Sequence, residues 1–178
     1  MSIRGIDHVG VTVQDLEAAT AFLKAALGAE VLYDTLPLGE KPQAGSEAEQ
    51  RLHLRPGAAI HAIRMLRLHN GPGIELFQTT APHQQEAAQP SDMGLQHIAL
   101  YVDDLDAAVI RFRAAGGEVF AAPRPLPPLE AGTGNAFCYG MTPWGMMVEF
   151  VTYPSPQPYR EQTALRRWTP KTLEERVP

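Results

Sequence analysis

Two stretches of the sequence decide the fold, because one repeats the other. Residues 6–29 read IDHVGVTVQDLEAATAFLKAALGA, and residues 95–118 read LQHIALYVDDLDAAVIRFRAAGGE. At a constant offset of 89, identical side chains align without a gap: His8 with His97, Asp15 with Asp104, and Gly28 with Gly117. A repeat of this length indicates two copies of one structural unit in tandem.

A second motif recurs later in each half. Residues 73–79 (GIELFQT) resemble residues 147–153 (MVEFVTY), so that Glu75 aligns with Glu149. The offset is 74 here, which leaves about 15 additional residues between the two motifs of the first half. We place them within residues 36–57, which are rich in proline, glycine and charge and have no apolar period, and we predict a loop there.

Each half reads as a strand, a helix and three further strands. Residues 6–13 and 95–102 show the two-residue alternation of strands. Helices are predicted over 16–27 and 105–115, because an aspartate can cap each first turn and a glycine follows each last turn. The further strands are placed at 29–34, 58–69 and 73–80 in the first half, and at 118–121, 135–141 and 146–152 in the second.

These elements predict an α+β protein of two tandem βαβββ modules. The modules are expected to form a cupped, barrel-like mixed sheet with the helices outside. The first module covers residues 1–82 and contains the loop insertion 36–57, and the second covers residues 94–153. Residues 154–178 form a C-terminal arm.

The composition excludes several classes of protein. The 178-residue chain carries a formal charge of −5 and has no basic run, which argues against a nucleic-acid partner. Cys138 is the single cysteine, so no disulfide can form within the chain, as suits a reducing compartment. No apolar run approaches the roughly 18 residues of a membrane span, and the N-terminus does not read as a leader. We expect a cytoplasmic protein with no membrane partner.

Strand alternation places four polar side chains on the face opposite the helices. In the first strand the valines share one face, so the histidine points to the other, and the same holds in the second half. Apolar neighbours flank both glutamates in the same way. The four side chains are His8, Glu75, His97 and Glu149. No lysine or arginine occupies these strand positions, and an unpaired carboxylate on such an apolar face would cost several kcal/mol.

A divalent cation would satisfy all four side chains at once. Any one of them alone is ordinary on a half-solvated sheet. The coincidence of histidine on histidine and glutamate on glutamate across the repeat favours one metal site formed by His8, Glu75, His97 and Glu149. Two imidazoles and two carboxylates suit Ni, Co, Zn, Fe or Mn, and the residue types do not choose among these metals.

The motifs resemble those of the vicinal oxygen chelate superfamily. That superfamily includes glyoxalase I, methylmalonyl-CoA epimerase, extradiol dioxygenases, and the fosfomycin and bleomycin resistance proteins. The resemblance rests on DHVGVTVQDLEAATAFL, GIELFQ, LQHIALYVDDLDAAVIRF and NAFCYGMTPWGMMVEFVTYP, which together cover most of residues 5–153. It implies two βαβββ modules around a metal that chelates a substrate through two neighbouring oxygens, with two ligands from each module.

The implied ligand set favours a metal-dependent lyase or isomerase of the glyoxalase type. The order His, Glu, His, Glu looks like that of the bacterial type of glyoxalase I and is close to that of the epimerase. Such an enzyme would remove a proton from a small oxygen-rich metabolite and stabilise the resulting enediolate. Glu75 or Glu149 would be the base, and the sequence does not choose between them.

Two alternatives stay open. An Fe(II) extradiol ring-cleaving dioxygenase is suggested by Tyr139, because a tyrosine ten residues before Glu149 resembles the dioxygenase signature. The histidine expected before that tyrosine is absent from residues 125–138. The other alternative is a non-catalytic small-molecule binding protein of the resistance type, although such proteins usually lack the metal ligands.

The arm predicts a partner subunit. It contains Tyr159, Leu165 and Trp168, whose apolar surfaces need to be covered. Modules of this family pair either within one chain or across a dimer, and domain swapping connects the two arrangements at low cost. We therefore expect a homodimer, and the sequence leaves open whether the site forms within one chain or between two.

Overall fold

Both halves of the chain form a five-stranded mixed sheet with the same strand order. The structure is a computed structural model and describes residues 3–172. Its elements are β1 His8–Val13, α1 Leu16–Leu27, β2 Glu30–Leu36, β3 Gln43–Ala44, α2 Ser46–Leu52, β4 Ala59–Arg67, β5 Gly73–Thr80, β6 Ile98–Tyr101, α3 Leu105–Ala114, β7 Glu118–Val119, β8 Arg124–Pro125, β9 Ala136–Met141 and β10 Met147–Thr152, with a 3-10 helix at Pro158–Glu161.

The chain divides into two compact units. The first comprises the residues up to 24 and residues 28–86, and the second comprises residues 25–27 and the residues from 87 onward. In the first unit the strand order is β1-β5-β4-β2, with β3 also on β4; in the second it is β6-β10-β9-β7, with β8 on β9. The predicted α+β class and the two-module order are confirmed. Each module forms an open sheet of its own, where the sequence predicted one barrel-like sheet.

Capping residues define the two long helices as predicted. The Asp15 carboxylate accepts a hydrogen bond from the backbone N–H of Ala18, and α1 ends at Gly28 in the left-handed region. At α3, Asp104 accepts in the same way from Ala107. These bonds satisfy backbone donors that the first turn of a helix leaves unpaired. Within residues 3–172, no helix is both long and apolar enough to cross a membrane.

The first strand of the second module is shorter than predicted. It begins at Ile98, so His97 lies one residue before the strand, whereas β1 begins at His8 itself. The ladder of β6 with β10 starts at the pairing of Val148 with Ile98, whereas the ladder of β1 with β5 already includes the pairing of His8 with Gly73.

The insertion 36–57 is not the structureless loop that the sequence predicted. It contains β3, which pairs with β4, and the seven-residue helix α2. Ala48 is the buried residue of this helix, and the Glu49 carboxylate accepts a hydrogen bond from the Gly57 backbone N–H at 2.7 Å. A helix with one buried side chain leaves no apolar period to detect. Just after it, Leu54 packs against a buried apolar cluster made of Leu36, Ile60 and Ile63, and Phe77 packs against the same cluster.

Arg64 ties α1 to the sheet in the first unit. Its guanidinium forms a two-pronged bond with Asp34 of β2, with Nε–Oδ1 at 2.7 Å and Nη2–Oδ2 at 3.0 Å. It also donates to Glu17 and Thr20 of α1. Hydrogen bonds from Arg64 hold the pKa of Asp34 below its ordinary value, against the opposing effect of burial. The guanidinium is therefore committed to the face of the sheet that α1 covers.

The described part of the arm folds back onto its own module. The Tyr153 hydroxyl donates to the backbone carbonyl of Trp168 at 3.2 Å. The Arg167 guanidinium lies 4.9 Å above the centre of the Tyr153 ring and pairs with Glu130 at 2.8 Å. Leu165 and the Trp168 side chain stay exposed. The homodimer expected to cover them remains a prediction, and residues 173–178 of the arm lie outside the described residues.

In the second unit, α3 packs on the sheet through Phe112. This ring is fully buried and meets Phe150 edge to face, with ring centres 5.0 Å apart. A Cβ atom on Gly117 would collide with this ring, and one on Gly140 would lie only 3.0 Å from it and would collide with the Glu118 carbonyl. The two glycines therefore make the space that the ring fills.

Replacing this ring should destabilise the protein. We expect Phe112→Ala to lower the free energy of unfolding by about 3–5 kcal/mol, because the space beneath the two glycines cannot be refilled. The matched control is Ile110→Ala, at a position 69% exposed on the same helix, with an expected effect of about 0.5 kcal/mol or less. Urea unfolding followed by circular dichroism measures both, and equal losses would contradict this account of the core.

The bond between Asp34 and Arg64 should make stability depend on pH. We expect Asp34→Asn to lower the free energy of unfolding at pH 7 by about 1.5–3 kcal/mol. Because folding lowers the pKa of Asp34, this contribution is complete above the unfolded value of about 3.9 and is lost as the pH falls through the folded pKa. Denaturant titrations should therefore show a constant difference between wild type and variant down to about pH 5, shrinking at lower pH. A difference that persists unchanged at pH 3 would contradict the assignment.

Candidate metal centre

Each unit contains one histidine–glutamate pair on its parallel strand pair. In the first unit, His8 Nε2 lies 3.3 Å from Glu75 Oε2. In the second, His97 Nε2 lies 3.1 Å from Glu149 Oε2. Alternation within the strands explains the meeting, because Glu75 pairs across the ladder with Gly10, and Gly10 and His8 point to the same side. The structure thus brings each predicted histidine to the predicted glutamate of its own half.

Both pairs lie on a largely apolar face. The Glu75 side chain is 19% exposed and the Glu149 side chain 13% exposed. Two positions beyond Glu75 on the same face lies Phe77, which packs against the buried apolar cluster of Leu36, Ile60 and Ile63. Since α1 is bound through Arg64 on the opposite face, the glutamate of the first unit faces away from the helix.

The donor set of each pair fits a divalent cation. Imidazole nitrogens and carboxylate oxygens bind such ions at about 2.0–2.2 Å. Two ligands at a right angle on one ion are then separated by about 3 Å, close to the 3.3 and 3.1 Å observed. Within residues 3–172, no group of three or more His, Cys, Asp or Glu side chains could hold a metal ion. Each pair offers two donor atoms, and both the binding of a metal and the joining of the two pairs on one ion stay predictions.

In each histidine Nε2 faces the glutamate, and Nδ1, called here the outer nitrogen, contacts the residue that precedes the histidine in the chain. His8 Nδ1 lies 2.7 Å from the Asp7 carboxylate, and His97 Nδ1 lies 3.1 Å from the side-chain oxygen of Gln96. The hydrogen bond to Asp7 raises the pKa of His8, burial lowers it, and the charges of Glu75 and Asp7 raise it further. Asp7 and Gln96 were not among the predicted site residues, although the same 89-residue offset aligns them.

Tyr139 lies beside the pair of the second unit. It faces Glu149 across the β9–β10 ladder, and its ring meets that of His97 edge to face with centres 5.2 Å apart. Burial and the charge of Glu149 raise the pKa of the phenol, so at neutral pH it is a hydrogen-bond donor. The corresponding neighbour of Glu75 in the first unit is Met65. The two pairs therefore differ in the chemistry beside them.

Comparison with known proteins supplies a family and a curated relative. The family model described as Glyoxalase/Bleomycin resistance protein/Dioxygenase superfamily matches residues 7–139. A 2-epi-5-epi-valiolone epimerase from an Actinomyces species is 34% identical over 168 residues, which are 93% of this chain and 88% of the relative.

Solved structures share the fold at lower identity. A glyoxalase family protein from Bacillus cereus matches with a TM-score of 0.65 and 18% identity, over 85% of this chain and 95% of that one. A mutant fosfomycin resistance protein from Listeria monocytogenes, complexed with Mn(II) and 1S,2S-dihydroxypropylphosphonic acid, matches with a TM-score of 0.57 and 19% identity, over 91% of this chain and 100% of that one.

Proposed function

Because the chain belongs to the glyoxalase/bleomycin resistance protein/dioxygenase superfamily, we propose that it is a metal-dependent isomerase that inverts one carbon of a small oxygen-rich metabolite. The family resemblance seen in the motifs is thereby confirmed. The observation that carries the proposal is the pair of equivalent histidine–glutamate contacts, at 3.3 and 3.1 Å. The relative named as an epimerase favours an isomerase over a lyase.

The name of that relative also suggests a substrate class. Its ending denotes a ketone, and an epimerase inverts one stereocentre among several. A C–H bond next to a ketone is the one from which an enzyme can remove a proton most readily, because the carbonyl takes up the resulting charge. We therefore propose a hydroxylated ketone as substrate, with inversion at the carbon next to the carbonyl.

In this proposal one divalent cation is held by four side chains, two from each module: His8, Glu75, His97 and Glu149. The ligand geometry within each pair supports this assignment, and the Mn(II) in the fosfomycin resistance protein shows such an ion in a protein of the same fold. Ni, Co, Zn, Fe and Mn all suit the donor set. When bound, the cation would polarise two neighbouring oxygens of the substrate. This would make the C–H bond on the carbon next to the carbonyl more acidic.

The glutamates are assigned the proton transfers. Inversion requires that a proton leaves one face of the reacting carbon and returns to the other. Glu75 and Glu149 come from different modules, and both side chains are mostly buried. One of them, released from the cation as substrate binds, would take the proton as a carboxylate, and the other, as a carboxylic acid, would return a proton to the opposite face of the carbon. Tyr139, whose phenol stays protonated, is assigned a hydrogen bond to a substrate oxygen.

The second candidate is a ring-cleaving Fe(II) dioxygenase. The position of Tyr139 beside His97 and Glu149 favours it. Against it stands the number of ligands, because four protein ligands on a six-coordinate ion leave two positions. Those two suffice for one chelating substrate and leave none for oxygen. A non-catalytic binding protein would have no need for either glutamate.

Metal binding tests the ligand assignment. We expect about one divalent ion per four-ligand site, and we expect His8→Ala and His97→Ala each to weaken binding by about 100-fold or more, since each removes one ligand. His83→Asn removes an exposed imidazole at a position where asparagine tolerates the positive φ of 53°, and should bind like wild type. Elemental analysis after dialysis against each metal measures this. A wild-type protein that stays metal-free in every case would contradict the proposal.

Hydrogen exchange tests the reaction. In D2O the wild type should place one deuterium on the inverted carbon of a hydroxylated ketone, with 2-epi-5-epi-valiolone as the first compound to try. Glu75→Gln and Glu149→Gln should each lower kcat by about 100-fold or more, and Tyr139→Phe by about 10-fold or less. Proton NMR follows both exchange and inversion.

A separate assay tests the dioxygenase alternative. The wild-type protein is loaded with Fe(II) without oxygen and is then given catechols and air. Ring-cleavage products that depend on Tyr139 and are indifferent to Glu75 would overturn the isomerase assignment.

A further inference from the structure

The two histidines of the proposed site differ in what holds their outer ring nitrogens. His8 Nδ1 lies 2.7 Å from Asp7 Oδ1, and His97 Nδ1 lies 3.1 Å from Gln96 Oε1. Asp7 and Gln96 occupy the same place in the repeat, directly before each histidine. The repeat therefore keeps the contact and changes its chemistry, from a charged carboxylate to a neutral amide.

We propose that Asp7 is a positioning residue that fixes His8 in the form with its hydrogen on Nδ1, so that the Nε2 lone pair faces the cation. The inference rests on the proposed function, since it requires His8 to be a ligand. A carboxylate only accepts hydrogen bonds, so the nitrogen facing it must carry the hydrogen. Gln96 offers only a neutral amide oxygen to His97, and its NH2 group donates to the Pro90 carbonyl at 3.2 Å. A neutral acceptor holds the hydrogen on His97 Nδ1 less strongly than a carboxylate would.

The backbone of Asp7 is well placed for this role. Its carbonyl accepts a hydrogen bond from the Gly73 N–H at 2.8 Å, at the start of the strand that carries Glu75. The carboxylate and the glutamate thus approach His8 from its two ring nitrogens, at 2.7 and 3.3 Å. The Asp7 side chain is 92% exposed, so its contact orients the imidazole and contributes little to folding.

The difference between the Asp7 carboxylate and the Gln96 amide makes His8 and His97 unequal as metal ligands. A carboxylate behind an imidazole increases the basicity of the nitrogen that binds the metal, and outer partners of this kind change metal affinity by about 10–100-fold. His8 should therefore be the stronger nitrogen donor and the first module the anchor of the cation. The second module, with its amide partner and Tyr139, should hold the ion less firmly.

The first measurement needs no metal. Long-range proton–nitrogen NMR of histidine-labelled, metal-free protein, at a pH where both imidazoles are neutral, reports which ring nitrogen carries the hydrogen. His8 should carry it on Nδ1 in the wild type and in Asp7→Glu, and should become a mixture in Asp7→Asn. His97 should be less uniform than His8 and become fixed on Nδ1 in Gln96→Asp. Identical His8 spectra in wild type and Asp7→Asn would overturn the inference.

The second measurement is the affinity for Zn(II), by competition with a chelator. Asp7→Asn and Asp7→Gln should each bind at least about 10-fold more weakly than wild type, Asp7→Glu should recover most of the loss, and Gln96→Asp should bind more tightly. Asp103→Asn removes the same charge elsewhere and should bind within about twofold of wild type, because exposed distant charges are screened. Tight binding by the wild type that is unchanged in Asp7→Asn overturns the inference and leaves the proposed function intact. Absence of binding in the wild type overturns the proposed function, while the NMR result still decides whether Asp7 orients His8.

Discussion

The parallel pairing of the first strand of each module with its last strand is the constraint on which the site depends. In the first unit it sets Gly10 against Glu75, and in the second it sets Ala99 against Glu149. Neighbouring strands lie about 4.8 Å apart, so a histidine two positions before the paired residue can reach the glutamate. A slip of one residue would turn each carboxylate toward the helix side, where apolar side chains such as Leu76 and Phe150 are buried.

The two modules differ in what lies beside the residues that follow each glutamate along its strand. In the first, the insertion brings Leu54 onto the apolar cluster against which Phe77, two positions beyond Glu75, also packs. In the second, the arm brings the Trp168 backbone onto Tyr153, four positions beyond Glu149. The face of the first module that carries Glu75 thus continues into apolar side chains. The face of the second module that carries Glu149 continues into aromatic and charged groups, including Arg167 over Tyr153. The repeated residues are those proposed to bind the cation, and the unrepeated ones are where substrate selectivity is to be sought.

The repeat made much of this predictable from the sequence. Aligning His8 with His97 and Glu75 with Glu149 located both pairs, because alternation along a strand is a local property. The helix starts were equally local, since each depends on one aspartate three residues from its hydrogen-bond donor. Helix α2 escaped prediction because its one buried side chain gives no pattern.

Contacts between distant residues were out of reach for a different reason. The bond from Arg64 to Asp34 joins residues 30 apart and depends on a β-bulge in the β2–β4 ladder. Nothing in the sequence around either residue indicates which of the carboxylates nearby Arg64 will meet. The contacts of Asp7 and Gln96 are local, and the alignment that pairs the histidines also pairs these residues. The repeat points to the histidines because they are identical, whereas Asp7 and Gln96 differ, and neither residue alone indicates a role at a site.

The central claim is that one cation joins the histidine–glutamate pairs of both modules. X-ray absorption spectroscopy of the Zn(II)-loaded protein tests it most directly, because imidazole rings give a distinct scattering signature that can be counted. The account predicts two imidazole nitrogens and two carboxylate oxygens at about 2.0–2.2 Å, and one imidazole in His97→Ala. A wild-type spectrum with a single imidazole, or with none, would contradict it.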